Sequence, residues 1–325
     1  MGLESEGERR LRGAAARGDV RAAEILVGYL EFHGRRAEAA SVLQQSMALG
    51  VPGLELALAG VLSEIDDHAD ESERWYRAAI EAGIPGAVND FGVFLSDRGR
   101  TLEAESFLQK AASSEDVLAM ANLGKHYFDL GDYRSARFWF GKALAKGHTG
   151  IIGFLARAEL ELGDRKSSSI HIKQALESCA EFALLAHALY LESSTDVDSR
   201  EIDEAFTRAL DDSPEAHFRY ANWLKSQGRV DEAIARHKAA ISLGEVHSHL
   251  NLAIIFDELE RPADTERHLR LGMAGGDGES AAALARFLAD EGRLDELPGV
   301  IREAEHIGHS AQDVEELWKM HNELD

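Results

Sequence analysis

Met120–Thr149 reads MANLGKHYFDLGDYRSARFWFGKALAKGHT, and this stretch decides the fold. Leu123, Tyr127 and Leu130 recur at helical spacing with Gly124 beside them, which predicts one apolar helix face relieved where a glycine makes room. Gly131-Asp132 breaks that helix: glycine suits the left-handed position after a helix, and aspartate suits the cap of the next. Ala136, Phe140, Ala143 and Leu144 then supply a second apolar stripe, and Lys146 before Gly147 gives a basic last turn and another stop. The small residues Gly124, Ala136 and Ala143 fall where two helix axes must approach closely, with Tyr127 and Phe140 filling the space around them. The stretch is predicted to be a helical hairpin.

Weaker copies run through the whole chain. The turn residue recurs at Gly34, Gly99, Gly131, Gly163, Gly228 and Gly292, with Asp67, Val197 and Glu260 in the slots where glycine is missing, at intervals of 31 to 34 residues. Five residues after each mark a mostly small residue opens the second helix: Ala39, Ser72, Ala104, Ala136, Ser168 and Ala233. Seven further on lies another small slot, held by Ser46, Ala79, Ala111, Ala143, Ala175, Ala209 and Ala240. Gly50, Gly83, Gly147, Gly244, Gly276 and Gly308 close the second helices. Nine copies in register predict a stacked array of hairpins, in which each unit buries its apolar face against its neighbours.

The array resembles tetratricopeptide repeats. Leu123, Gly124 and Tyr127 carry the Leu-Gly-x-x-Tyr of the first helix, and Ala136, Phe140 and Ala143 carry the pattern of the second. Two copies also resemble the related Sel1-like repeats: Ser72 through Trp75, Tyr76, Ala78 and Ala79 to Gly83, and Ala136 through Trp139 and Phe140 to Gly147. The resemblance covers roughly residues 20 to 308 and implies an all-α, right-handed α-solenoid. The copies here average about 32 residues against the family's 34, and the proline between repeats survives only near Pro52, Pro85 and Pro214.

The ends differ from the repeats, as solenoid caps do. Residues 1–17 read as a polar capping helix, 18–309 as the repeat array, and 310–325 as a closing helix with Val314, Leu317 and Met320 on one stripe. The array is irregular at 191–200, LESSTDVDSR, where the link between two helices lengthens; this reads as a surface loop, with a hinge or a modification site as the functional alternative. Pro298 falls near the start of a second helix, where proline is tolerated in the first turn.

Composition narrows the function. Lys+Arg 35 against Asp+Glu 58 gives a formal charge of −23, which opposes nucleic acid and anionic membrane binding. No apolar run reaches the ~18 residues of a membrane span, and the single cysteine, Cys179, fits a reducing compartment. The expected location is cytoplasmic. Gly272–Gly278, GMAGGDG, follows a helix and lacks the Lys-Ser/Thr of a phosphate loop, so it reads as a repeat boundary. His247/His249 and His306/His309 are the close histidine pairs, and neither has flanking Cys or carboxylate in a metal pattern. No nucleophile stands out. The expectation is a non-enzyme with neither metal nor cofactor.

The remaining signal is on the surface. In the tetratricopeptide family the first helix of each pair lines the concave groove, so its residues that do not pack are candidates for contact. By register these are Asp90 and Val93, Asn122 and Lys125, Phe154 and Arg157, Arg219 and Asn222, Asn251 and Ile254, Ala283 and Arg286, with Asn89 beside the first. Four asparagines and four bases gather there in an otherwise acidic chain. An asparagine can donate to and accept from a peptide backbone at once, and a base beside it can hold a carboxylate. The bland alternative is an ordinary solvated helix face with the contacts elsewhere. Trp75, Trp139 and Trp223 read as packing residues and Trp318 as part of the end cap.

The reading that follows is a non-catalytic scaffold or adaptor that grips a segment of another protein in its groove. The alternatives are a peptide-sensing regulator that changes curvature on binding, and a module that self-assembles through its ends as a homo-oligomer.

Overall fold

The computed structural model describes residues 6–307 and 311–324, so Gly308, His309 and Ser310 lie outside the described residues. The chain divides into two units, Met1–Gln174 and Ala175–Asp325. In the first, α1 (Glu6–Ala15) precedes the hairpins α2 (Val20–Phe32) with α3 (Arg36–Ala48), α4 (Glu55–Ser63) with α5 (Ala69–Glu81), and α6 (Ala87–Asp97) with α7 (Thr101–Ser113). The unit continues with α8 (Val117–Asp129) and α9 (Tyr133–Ala145), then α10 (Ile152–Glu161) and α11 (Arg165–Glu177), which runs past the unit boundary. The second unit contains α12 (Ala183–Glu192) with α13 (Ser199–Ala209), α14 (Pro214–Ser226) with α15 (Val230–Ser242), and α16 (Ser248–Glu258) with α17 (Pro262–Ala274). It ends with α18 (Gly278–Asp290), α19 (Leu297–His306) and α20 (Ala311–Leu324). Among the described residues there are nine hairpins and no strand.

The register marks are places where the backbone must turn left-handed. At Gly131 φ is +74°. Its amide donates to the Phe128 carbonyl at 3.0 Å and that of Asp132 to Tyr127 at 2.9 Å, which satisfies two carbonyls left open at the end of α8. The Asp132 carboxylate then accepts from the Ser135 amide at 3.1 Å and so caps α9. The conformation is imposed by the reversal itself, because Asp67 and Glu260 adopt it without glycine's freedom, at φ +62° and +55°. Glu115 and Cys179 do the same at the ends of α7 and α11, two slots that glycine spacing alone does not reveal. Val197 is the exception: α12 ends at Glu192 and Asp198 caps α13, so a longer link replaces the tight turn.

Small residues let the helices of each hairpin meet. Ala39, Ala104, Ala136 and Ala233 are fully buried, as are Ser72 and Ser168, whose hydroxyls donate to the first-helix carbonyls of Ala59 at 2.8 Å and Ala156 at 2.9 Å. Leu123 and Phe140 are fully buried as the periodicity predicts, whereas Leu130 is exposed because α8 ends at Asp129. Trp223 is buried, and Trp75 packs against the core of the first unit. Pro298 lies in the first turn of α19. Val314 and Leu317 of α20 are buried against α18 and α19, with Trp318 and Met320 partly buried beside them.

A feature missed in the sequence ties second helices to the second helix before them, or, for the first hairpin, to α1. Arg35 meets Glu8 at 2.9 Å, Arg100 meets Glu73, Arg229 meets Asp203 at 2.6 Å and Arg293 meets Glu266 at 2.7 Å. Each of these arginines also holds an acid three residues on: Glu38, Glu103, Glu232 or Glu296. The same slots between α9 and α11 carry Arg137 and Asp164 at 3.7 Å, the pair with its signs reversed. The pairs fall at every second step of the repeat, so the true period of the charge pattern is two hairpins.

Candidate partner-binding face

In each unit the first helices carry the sequence-derived candidates, some half-buried or exposed, such as Asn122 and Arg286, and others buried, such as Asn89 and Arg157. Asn89 is only 5% exposed; its amide donates to Asp90 Oδ1 at 2.9 Å, and its Oδ1 accepts from Asn122 Nδ2 at 3.0 Å. In the second unit Asn251 Nδ2 donates to Asn222 Oδ1 at 3.0 Å. The four asparagines thus form two amide pairs, one bridging α6 and α8 and the other α14 and α16. A primary amide has two donors and two acceptor lone pairs, so the bond between the members leaves half-buried Asn122 and Asn251 capacity for another group.

The bases are placed differently from the sequence expectation. Arg157 is 2% exposed, with its guanidinium 4.9 Å from the Phe128 ring centroid, so it does not present a cation to the groove. The reason is local: Ile152–Glu159 of α10 is buried on every side, which turns into interior a slot that is partly or fully open at Val93, Lys125, Asn222, Ile254 and Arg286. Phe154 is buried too, and Lys125 Nζ sits 4.8 Å above its ring. Arg219 is half-buried and bonds Glu215 one turn earlier at 3.2 Å. Arg286 is exposed and lines a cleft.

Each unit has a cleft beside its first helices. In the first unit one of about 400 Å³ is walled by α4, α5, α6 and α8, with Leu56, Gly60, Tyr76, Val93 and Phe94 as its apolar lining and Glu64, Asp90, Asp97, Arg98 and Asn122 as its polar one. In the second unit one of about 340 Å³ lies between α16, α17 and α18. The two occupy the same register. Counting from the turn marks, Leu269 stands where Tyr76 does, Phe287 where Phe94 does, Asp257 where Glu64 does and Asp290 where Asp97 does. Sequence reasoning named only Asp90, Val93, Asn122, Ile254, Ala283 and Arg286 of these linings; the acids two and three residues before the turn marks were the signal for the other carboxylates.

Electrostatics in the first cleft disfavour its own charges. Burial raises the carboxyl pKa of Asp90, opposed by the Asn89 hydrogen bond. Burial also raises that of Asp97, reinforced by the negative charge of Glu64. The charge of Arg98 opposes this at Asp97, while its guanidinium donates to the Ser63 carbonyl at 3.0 Å and lies 5.1 Å from the Phe94 ring centroid.

The remaining motifs have structural roles. Gly272–Gly278 is the turn from α17 to α18, where the Asp277 carboxylate accepts from the amides of Glu279 and Ser280, each at 3.3 Å. Nδ1 of His249 lies 3.0 Å from Nδ1 of His268. His306 belongs to α19, and its partner His309 is outside the described residues.

No protein-family model matches the chain, and a search of curated proteins finds no match. Solved structures do resemble it. Human IFIT1, as a dimer with PPP-AAAA, has a TM-score of 0.55 at 14% identity over 98% of this chain and 85% of that one. The Cut9 and Hcn1 hetero-tetramer of the APC/C gives 0.52 at 12% identity, over 94% of this chain and 56% of that one. The uropathogenic Escherichia coli antigen c5321, which displays an SLR fold, gives 0.45 at 18% identity, over 97% and 79%. With its nine hairpins in one register, this chain has the all-α helical-repeat fold of tetratricopeptide and Sel1-like repeat proteins.

Proposed function

We propose that the protein is a non-catalytic scaffold that holds a segment of another protein against the first helices of its repeats. The observation that carries this reading is the recurrence of one cleft, at one register and with matching lining residues, in both units. A solvated helix face needs no such repetition. A segment lying along the first helices meets, in order, a half-buried amide that can bond peptide backbone and an apolar floor that can take a side chain. Among the described residues no helix is long and apolar enough to cross a membrane. Human IFIT1 is seen with PPP-AAAA, so a fold of this kind is no ground for excluding nucleic acid, and that expectation rests on net charge alone.

The test is affinity capture by the full chain, identification of a direct partner, and mapping of its bound segment. Asn122→Ala with Asn222→Ala should weaken binding of that segment about thirtyfold with helical content unchanged, since each of the two lost amide contacts contributes roughly 1 kcal/mol. Equal binding by the double variant moves the site to the second helices or the ends.

A further inference from the structure

We propose that the first-unit cleft takes an arginine or lysine side chain of the bound segment, its stem lying on Leu56, Tyr76 and Val93 and its cation meeting Glu64, Asp90 and Asp97. This rests on the reading of the first-helix face as the docking face and reverses the expected polarity: the segment is basic, not acidic. The argument is charge complementarity. Three carboxylates line the cleft, and its one base, Arg98, already bonds the Ser63 carbonyl and covers Phe94. Among the described residues the nearest ion pair to any of the three is the long contact of Glu64 with Arg36, at 3.8 Å.

A bare metal ion is the wrong occupant. Among the described residues no three His, Cys, Asp or Glu side chains are close enough together to share one. An elongated cation with an apolar stem matches carboxylates spread around an aromatic and aliphatic floor. The second unit supplies an internal contrast. There Arg286 stands in the slot of Val93 and Ala283 in that of Asp90, and of the three acids lining that cleft, Asp257, Glu258 and Asp290, Glu258 already pairs with Lys225 at 2.7 Å. The preference for a basic side chain therefore belongs to the first unit.

The experiment is fluorescence anisotropy on the full chain with three labelled ten-residue probes, alternating Arg/Ala, Glu/Ala and Ser/Ala, at physiological salt. The Arg/Ala probe should bind at least tenfold tighter than Ser/Ala. Glu64→Gln with Asp97→Asn should remove that advantage, while Asp70→Asn with Glu81→Gln, which deletes two exposed charges from α5, should change it less than twofold. Val93→Arg, which copies the second unit's arginine, should remove it as well and serves if the first variant folds poorly. Equal loss from the cleft and α5 variants means attraction to net charge and overturns the inference. A preference for Glu/Ala that Asn122→Ala weakens overturns it but leaves the docking face standing. If no probe binds, or binding ignores both the cleft and the asparagine changes, both fall.

Discussion

At Gly124 an added Cβ would lie 2.5 Å from Cδ1 of Phe140, and Phe140 is fully buried and has nowhere to go. Gly124→Ala is therefore expected to destabilise the first unit by about 1–3 kcal/mol, as overpacking of a tight core does. Gly60 holds the same slot two copies earlier and has open space around its Cβ position, because the ring of Tyr76 packs with Phe91 and Phe94 at 5.7 and 5.1 Å. Gly60→Ala should stabilise by up to about 1 kcal/mol through helix propensity alone. Urea unfolding of the two variants separates packing from propensity; destabilisation by both would show that the glycines serve another purpose. The sequence makes Gly124 legible because Leu123, Tyr127 and Phe140 surround it at fixed spacing. It conceals the burial of Arg157, whose slot is partly or fully open in several other copies, since that depends on how α10 is enclosed and not on its own pattern. The amide pairs are hidden for a related reason: they join residues 33 and 29 positions apart, and periodicity shows that both face one way without showing that they touch.

Helix reversals were legible because each one forces a left-handed residue, and glycine answers that demand often enough to set a register that Asp67 and Glu260 then keep. The ion pairs of the second helices were equally present in the sequence, as Glu or Asp followed 26 or 27 residues later by Arg, but they alternate and so hide from a search at one-repeat spacing. The reversed pair Arg137 and Asp164 shows that this step accepts either polarity. Its flanks explain how. Glu73 has Arg77 one turn on and Arg100 has Glu103, whereas Arg137 is followed at the same distance by neutral Gly141 and Asp164 by neutral Ser167. Exchanging Glu73→Arg with Arg100→Glu alone should thus lower stability, because each new charge faces a like one. Adding Arg77→Gln and Glu103→Gln should restore most of the loss. The effect is modest, about 1 kcal/mol or less, since these pairs are partly solvated. Thermal unfolding at low and high salt reads it, and a double exchange as stable as wild type would mean that the pairs are incidental to stacking.

Histidines whose pKa values burial lowers gather in the second unit, where His247, raised by its hydrogen bond to Asp277, opposes them, and this gives the molecule an expected order of acid unfolding. In the second unit His237 is fully buried in the slot that Phe140 fills elsewhere, its ring 5.9 Å from Phe218 and its Nδ1 3.1 Å from the Ser248 hydroxyl; burial pushes its pKa down to about 4. His268 is likewise pushed down to about 4, by burial and by the charge His249 would carry. In the first unit His171 bonds the buried Glu159 carboxylate at 2.7 Å, which raises its pKa. A histidine held below its ordinary value of 6.5 binds its proton more weakly when folded than when unfolded. Its contribution is complete above about pH 6.5 and is lost progressively as pH falls toward 4. A raised histidine has the reverse sign: its stabilisation is present at acid pH and is lost as pH rises through its folded value. Glu192 and Asp212, whose pKa values burial raises, blunt the loss in the second unit but act in the other direction. Between pH 7.5 and 5.5, hydrogen exchange corrected for intrinsic rates should therefore show α14–α17 losing protection while α8–α10 hold or gain it. His237→Leu should flatten the response in α14–α16, because Ala221 faces that slot as Ala253 faces Leu269 in the next copy, leaving room for leucine. Parallel loss of protection in both units, or an unchanged acid response in His237→Leu, would show that the buried imidazoles do not set the order.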